Sequence, residues 1–240
     1  MKDYILNIDQ YKAGKFKVDG FGGVIKLSSN ENALGCSPKV QEVFKNNFRD
    51  ICRYPDGNSS LLKESISKKF NLNPYNIVVG SGSDEIISFI CHCFLGVDDE
   101  VIHNRYGFLM YSISAKKFGA KVVLSNEKNL KIDVIDIVRK ITPKTKVIFI
   151  ANPNNPTGSY LNSKEVLYLL ENTPKNIIIV LDLAYAEFAT NDDYNSSFSL
   201  VDKYSNLIIT RTFSKIHGIA SLRVGYSYSS KENADYLNRV

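Results

Sequence analysis

The run Val147-Ile148-Phe149-Ile150-Ala151-Asn152-Pro153-Asn154-Asn155-Pro156-Thr157-Gly158 carries the main architectural signal of the chain. Five apolar residues without polar alternation read as a strand buried on both faces. Behind them, two prolines fix φ and make a stiff turn that ends the strand. Similar Val- and Ile-rich runs recur at 77–80, 101–103, 121–124, 177–181, 207–210 and 224–228. Between them, 84–95, 106–118, 134–140 and 163–171 show helical periodicity. Strands alternating with helices predict an α/β fold, a three-layer α/β/α sandwich around a mostly parallel sheet. Ligands of such sheets bind outside the carboxyl ends of the strands, so chemistry is sought just past each run.

Outward from this core the rhythm fades. The first 60 residues are loop-rich around Ser28-Ser29-Asn30-Glu31-Asn32 and Arg53-Tyr54-Pro55-Asp56-Gly57 and read as an N-terminal arm, leaving 61–240 as the large domain. From Ser229 to Val240 a helix begins without a further α/β unit behind it, so the chain is expected to be truncated. Its 44% hydrophobic and 23% charged residues are those of an ordinary globular protein. No apolar stretch approaches the ~20 residues needed to span a bilayer. Charged and amide residues break up Met1 to Asp9, which lacks the apolar core of a secretory signal. A cytoplasmic protein without a membrane role is expected.

Thirty Lys and Arg against 25 Asp and Glu give a formal charge of +5, but they are scattered, and no track for nucleic acid is expected. Cys36, Cys52, Cys91 and Cys93 read as reduced thiols. Cys91-His92-Cys93 lies in an apolar segment read as a buried helix, where consecutive side chains diverge by about 100° and cannot converge on one metal ion.

The strand ends supply Gly80-Ser81-Gly82-Ser83-Asp84-Glu85, the Asn152–Gly158 turn, Asp182-Leu183-Ala184-Tyr185, and Thr212-Phe213-Ser214-Lys215 with Arg223. Each also has a plain structural reading. A Gly/Ser turn before a helix can cradle phosphate on backbone N–H groups, or simply turn. It lacks the third glycine of a dinucleotide-binding fingerprint. Asp182, emerging from a buried strand, needs a partner or a ligand, which a helix cap or an ion pair could also provide. Tyr185 suits a core as well as a site, and a lone Lys215 is ordinarily solvated. Taken together they offer an amine for an aldehyde, an acid for a ring nitrogen, donors for a ring hydroxyl and an anion cup, the needs of pyridoxal phosphate.

In this order and spacing, the motifs resemble the fold-type I pyridoxal-phosphate-dependent aminotransferases. Arg211-Thr212-Phe213-Ser214-Lys215-Ile216-His217-Gly218-Ile219-Ala220-Ser221-Leu222-Arg223-Val224-Gly225-Tyr226 looks like the lysine region of the histidinol-phosphate aminotransferase family. The likeness extends to Tyr11-Lys12-Ala13-Gly14-Lys15, Leu27-Ser28-Ser29-Asn30-Glu31-Asn32, Arg53-Tyr54-Pro55-Asp56 and Tyr106-Gly107-Phe108-Leu109-Met110-Tyr111. Leu183 and Ala33 depart from it, standing where the family usually has Glu and Pro.

The resemblance implies that Lys215 holds the cofactor as a Schiff base and shuttles the substrate proton. Asp182 would face the pyridine nitrogen, Asn155 and Tyr185 the ring oxygen, and Ala184 one ring face. Phe108 or Tyr111 would cover the other face. Ser83, Asp84, Thr212, Ser214 and Arg223 would cup the phosphate, with Tyr54 reaching in from the second subunit of a homodimer. Tyr11 and Asn32 would bind substrate. The implied reaction is transamination between L-histidinol phosphate and 2-oxoglutarate, in histidine biosynthesis. A phospho-amino-acid decarboxylase, an aromatic aminotransferase or a non-catalytic protein of the same fold are the alternatives. The family's C-terminal small domain, which carries arginines for the substrate, is expected to be missing.

Overall fold

A computed structural model describes residues 2–8, 20, 22, 25–47, 52–195 and 198–240. In chain order the helices and strands are α1 (Pro38–Asn46), α2 (Ser60–Phe70), β1 (Ile77–Gly80), α3 (Ser83–Phe94), β2 (Glu100–Asn104), α4 (Leu109–Lys116), β3 (Lys121–Ser125), β4 (Glu127–Lys128), β5 (Lys131–Ile132), α5 (Val134–Arg139), β6 (Thr145–Ala151), α6 (Ser163–Glu171), β7 (Ile178–Asp182), α7 (Leu200–Lys203), β8 (Leu207–Thr212), β9 (Gly225–Ser229) and α8 (Lys231–Leu237).

Seven strands form one sheet in the order β1-β9-β8-β7-β6-β2-β3, while β4 and β5 make a separate small hairpin. From β8 through β3 the neighbours are parallel, and β9 runs antiparallel to both β8 and β1. The missing polar alternation has a direct cause. Along β6, Ile148 and Ile150 enter one apolar cluster while Val147, Phe149 and Ala151 enter the other, one on each face of the sheet. Ile179 and Leu181 oppose Ile178 and Val180 in the same way along β7.

Local signals explain where helices start. Asn162 and Glu165 form a reciprocal capping box on α6, and the Asp133 carboxylate accepts from the Ile135 and Asp136 N–H groups at the start of α5. The sequence reading of 106–118 as helix is too long at both ends. Tyr106 N–H is held by the Glu127 carboxylate at 2.6 Å, and a Cβ on Gly107 would lie 2.9 Å from the Asn104 carbonyl oxygen, so the chain stays a loop until Leu109. Within the expected loop-rich arm, residues 38–46 are instead a helix, started by Ser37 as cap with Pro38 at the first position. Among the described residues no helix is long and apolar enough to cross a membrane.

On α3 the Cys91-His92-Cys93 side chains diverge. Cys91 is fully buried, its thiol pushed up to about 12 by burial, while His92 is exposed and stacks on Phe118.

Candidate active site

At the carboxyl ends of β6, β7 and β8 lies a cavity of about 470 Å³ bordered by Asp182, Lys215, Tyr185 and Arg223, among others. Asp182 closes β7 and is 3% exposed. Its Oδ2 accepts from the Tyr111 hydroxyl at 2.8 Å and its Oδ1 from the Thr210 hydroxyl at 3.0 Å. Burial pushes its pKa up, against the pull of the Tyr111 and Thr210 hydroxyls and the Ala184 N–H. The Asp84 charge adds to the upward push. An apolar strand places the carboxylate here because its neighbour in register is polar too: Asp182 pairs with Thr210 across β7 and β8.

Lys215 follows the end of β8. Its Nζ donates to the Ser29 carbonyl at 2.9 Å and stands 5.5 Å from the centre of the Tyr185 ring. The Tyr185 hydroxyl accepts from the Asn30 side-chain amide at 3.0 Å. Residues 28–31 thus roof the lysine, and all four border the cavity.

The anion cup is assembled from two turns. Gly82, at φ +85°, leads into α3, and a Cβ there would sit 2.4 Å from an Arg223 guanidinium nitrogen, so this approach requires glycine. Arg223 donates to the Ser214 hydroxyl at 3.2 Å and the Ser81 carbonyl at 3.4 Å, and lies 3.5 Å from the Asp84 carboxylate. Thr212 Oγ1 accepts from the Ser214 N–H at 3.1 Å. A Cβ on Gly225 would come within 2.4 Å of the Ser83 nitrogen, which draws β9 against the same turn.

Ten of the residues named from the sequence therefore border one cavity: Ser83, Asp84, Phe108, Asn155, Asp182, Tyr185, Thr212, Ser214, Lys215 and Arg223, together with Ala184. Four do not. Of the two aromatics offered for the ring face, Phe108 borders the cavity, whereas the Tyr111 side chain is fully buried, donates to Asp182 and stacks on Phe149. Asn32 lies outside the cavity lining; its amide donates to the Ile216 carbonyl and its oxygen accepts from the Leu34 N–H, so it tethers two loops. Tyr54 is fully exposed and outside the cavity wall. Tyr11 falls outside the described residues. Within the Asn-Pro-Asn-Asn-Pro turn, Asn152 ties down Leu161 and Asn154 holds Thr157 and the Tyr106 carbonyl, while Asn155 borders the cavity.

Sequence reasoning missed Thr210 and the roof residues Ser29 and Asn30. A polar residue ending an apolar strand beside Asp182 was a readable signal for Thr210. Ser29 acts through its backbone carbonyl, which no side chain announces.

The donor set fits pyridoxal phosphate: one buried carboxylate, one primary amine at the cavity, and an arginine beside a glycine turn opening a 12-residue helix. The sequence pattern of the family described as aminotransferase class I and II matches residues 22–240. The chain is 48% identical to the histidinol-phosphate aminotransferase of Pelagibacter ubique over 97% of its length and 65% of that protein's. To the histidinol-phosphate aminotransferase of Rhodospirillum rubrum it is 43% identical, over 98% of this chain and 64% of the relative. Among solved structures, histidinol-phosphate aminotransferase from Sinorhizobium meliloti in complex with pyridoxal-5'-phosphate superposes with a TM-score of 0.84 at 26% identity, covering 88% of this chain and 58% of that one. The chain thus spans about 65% of the length of the curated relatives it matches. With that span stated, the match over 22–240 places the chain in the aminotransferase class I and II family.

Proposed function

We propose that this protein is a pyridoxal-phosphate-dependent aminotransferase that takes the amino group of L-histidinol phosphate and passes it to 2-oxoglutarate, working in the cytoplasm as a homodimer. The observation that carries the reading is the convergence of a carboxylate that is 3% exposed, Asp182, and the Lys215 amine on one cavity. The cofactor, when bound, supplies an electron sink for the pair left when a substrate Cα–H bond breaks. Lys215 Nζ would hold the cofactor aldehyde and, when freed, would take up the Cα proton. Asp182, kept in place by Tyr111 and Thr210, would pair with the ring nitrogen and hold its proton. Asn155 and Tyr185 donate to the ring oxygen. Phe108 and Ala184 enclose the ring, and Arg223, Ser214, Thr212 and the start of α3 receive the phosphate.

The arm of residues 1–60 and the cofactor-binding domain of 61–240 divide the labour in this reading. Tyr54, fully exposed here, completes the phosphate cup of a second copy. Protein purified with pyridoxal phosphate is expected to be yellow, with borohydride fixing the cofactor on Lys215 by peptide mapping. L-histidinol phosphate should then change the visible spectrum and yield glutamate when 2-oxoglutarate is added. An adduct on another lysine, or a response to O-phosphothreonine or tyrosine but not to histidinol phosphate, would overturn the reading.

A further inference from the structure

We infer that Tyr111 is a positioning residue for Asp182, fixing one carboxylate oxygen through its hydroxyl and tying that carboxylate to the aromatic wall of the cavity through Phe108. The inference rests on the reading of Asp182 as partner of the ring nitrogen. Three rings hold Tyr111: Phe149 stacks on it with centroids 4.8 Å apart, and Phe108 and His103 meet it edge-on at 5.6 and 5.9 Å. A phenylalanine would make the same apolar contacts. The hydroxyl is what needs explaining, because a fully buried phenol must find an acceptor or lose its hydration without return. Its acceptor is Asp182 Oδ2 at 2.8 Å.

The surroundings leave that hydroxyl little else to do. His103 Nδ1 lies 2.8 Å from the Asn104 carbonyl and therefore donates to it, and Nε2 accepts from the Ser112 hydroxyl at 2.7 Å, so the histidine offers Tyr111 a ring edge and no acceptor. Burial, and next the Asp182 charge, hold the Tyr111 hydroxyl well above its ordinary pKa, so it stays a donor. Thr210 sits on the neighbouring strand β8. Tyr111 sits on α4, and its ring meets Phe108 edge-on, which links the carboxylate to the aromatic bordering the cavity. The ionisable groups around this pair are Asp84 on α3, Tyr185 and Tyr194 beyond β7, Lys215 beyond β8, and His103 on β2 behind the tyrosine ring.

The test compares binding of pyridoxal phosphate with binding of its analogue carrying carbon in place of the ring nitrogen, by the full chain, from mildly acidic to mildly alkaline pH. Asp182→Asn should abolish the preference for the nitrogen-bearing ligand. Tyr111→Phe should cut that preference by about tenfold and move its acid limit upward, because Asp182 with one donor fewer takes up a proton at higher pH. If Tyr111→Phe folds poorly, 3-fluorotyrosine at position 111, a stronger donor, should move the acid limit downward. Equal losses for both ligands in Tyr111→Phe would mean that Tyr111 only packs, and an unmoved preference and acid limit would likewise overturn the inference. If Asp182→Asn itself leaves the preference intact, the ring-nitrogen reading of Asp182 fails and this inference fails with it.

Discussion

The cavity has two walls of opposite construction. On the sheet side, Asp182 borders the cavity and is backed by Thr210 and Tyr111; all three are at most 3% exposed and are joined side chain to side chain. On the loop side, residues 28–35 cross the Lys215 turn and are tied to it largely through backbone atoms: the Ser29 carbonyl takes the Lys215 amine, and Asn32 reaches the Ile216 carbonyl. The Arg223–Asp84 pair on that side is 3.5 Å apart with both side chains nearly half exposed. Hydrogen bonds to a charged, buried acceptor contribute about 1.5–3 kcal/mol each, whereas exposed ion pairs contribute about 0–1 kcal/mol. By these magnitudes the sheet wall is the stiff one and the loop wall, held by weaker contacts, the adjustable one.

The largest effect is expected on the stiff wall. Asp182→Ala removes the acceptor of two buried hydroxyls and, in the proposed function, the carboxylate for the ring nitrogen. Turnover with histidinol phosphate should fall by at least about a hundredfold, equivalent to about 2.7 kcal/mol of barrier. Stability should drop by about 1–3 kcal/mol, because Tyr111 and Thr210 lose their partner. Steady-state rates with denaturant unfolding on the same preparation would check both; unchanged turnover would remove Asp182 from the chemistry.

On the adjustable wall, backbone conformation should matter more than any side chain. Gly218 has φ +65°, and a Cβ there would lie 2.1 Å from the Gly35 carbonyl oxygen. Gly218→Ala should cost about 2–3 kcal/mol, from left-handed strain plus separation of the two loops. Gly158→Ala is the matched control, since it shares the positive φ of 71° but has open space around its Cβ. It should cost only about 1 kcal/mol. Equal losses in denaturant unfolding would mean that the approach of the two loops contributes nothing. Asn32→Ala ranks below Gly218→Ala, at about 1 kcal/mol for one part-buried amide bond. Its loss should also speed borohydride reduction at Lys215, and an unchanged reduction rate would show that the roof stays shut without it.

The same contrast governs what the sequence revealed. The parallel core was legible because two-sided burial forces runs such as Val147–Ala151 to be apolar throughout. Asp182, Lys215 and Arg223 were legible as charged or amine groups at strand ends. Phe108 and Tyr111 could not be told apart from the sequence, because both are aromatic and three residues apart; the structure puts Phe108 on the cavity and the Tyr111 hydroxyl on Asp182. The tether made by Asn32 was not legible, because its amide serves a carbonyl 184 residues away, a pairing with no local signature. The α1 helix was overlooked although Ser37-Pro38 is an ordinary start signal, since loop-forming residues on either side masked it.

The smallest expected effect lies in the loop that carries the exposed Tyr54. Asp56 organises it: Oδ1 accepts from the Asn58 N–H at 2.9 Å and Oδ2 from the Ser60 N–H at 2.8 Å, where α2 begins. The Ser60 N–H, then the Ser60 hydroxyl and the Asn58 N–H, hold its carboxyl at about 2, below the ordinary 3.8. The folded pKa is thus lower than the unfolded one. The stabilisation is complete above the unfolded value and disappears as pH falls through the interval from 3.8 to about 2. Asp56→Asn keeps an oxygen acceptor for the turn but cannot ionise. Near neutral pH its unfolding midpoint should drop only slightly, since Asn also serves well at helix starts. Between those two pKa values the difference from the parent should close, and below them the two proteins should unfold alike. A gap that persisted at low pH would mean that the carboxylate's charge is irrelevant and that only its shape holds the turn.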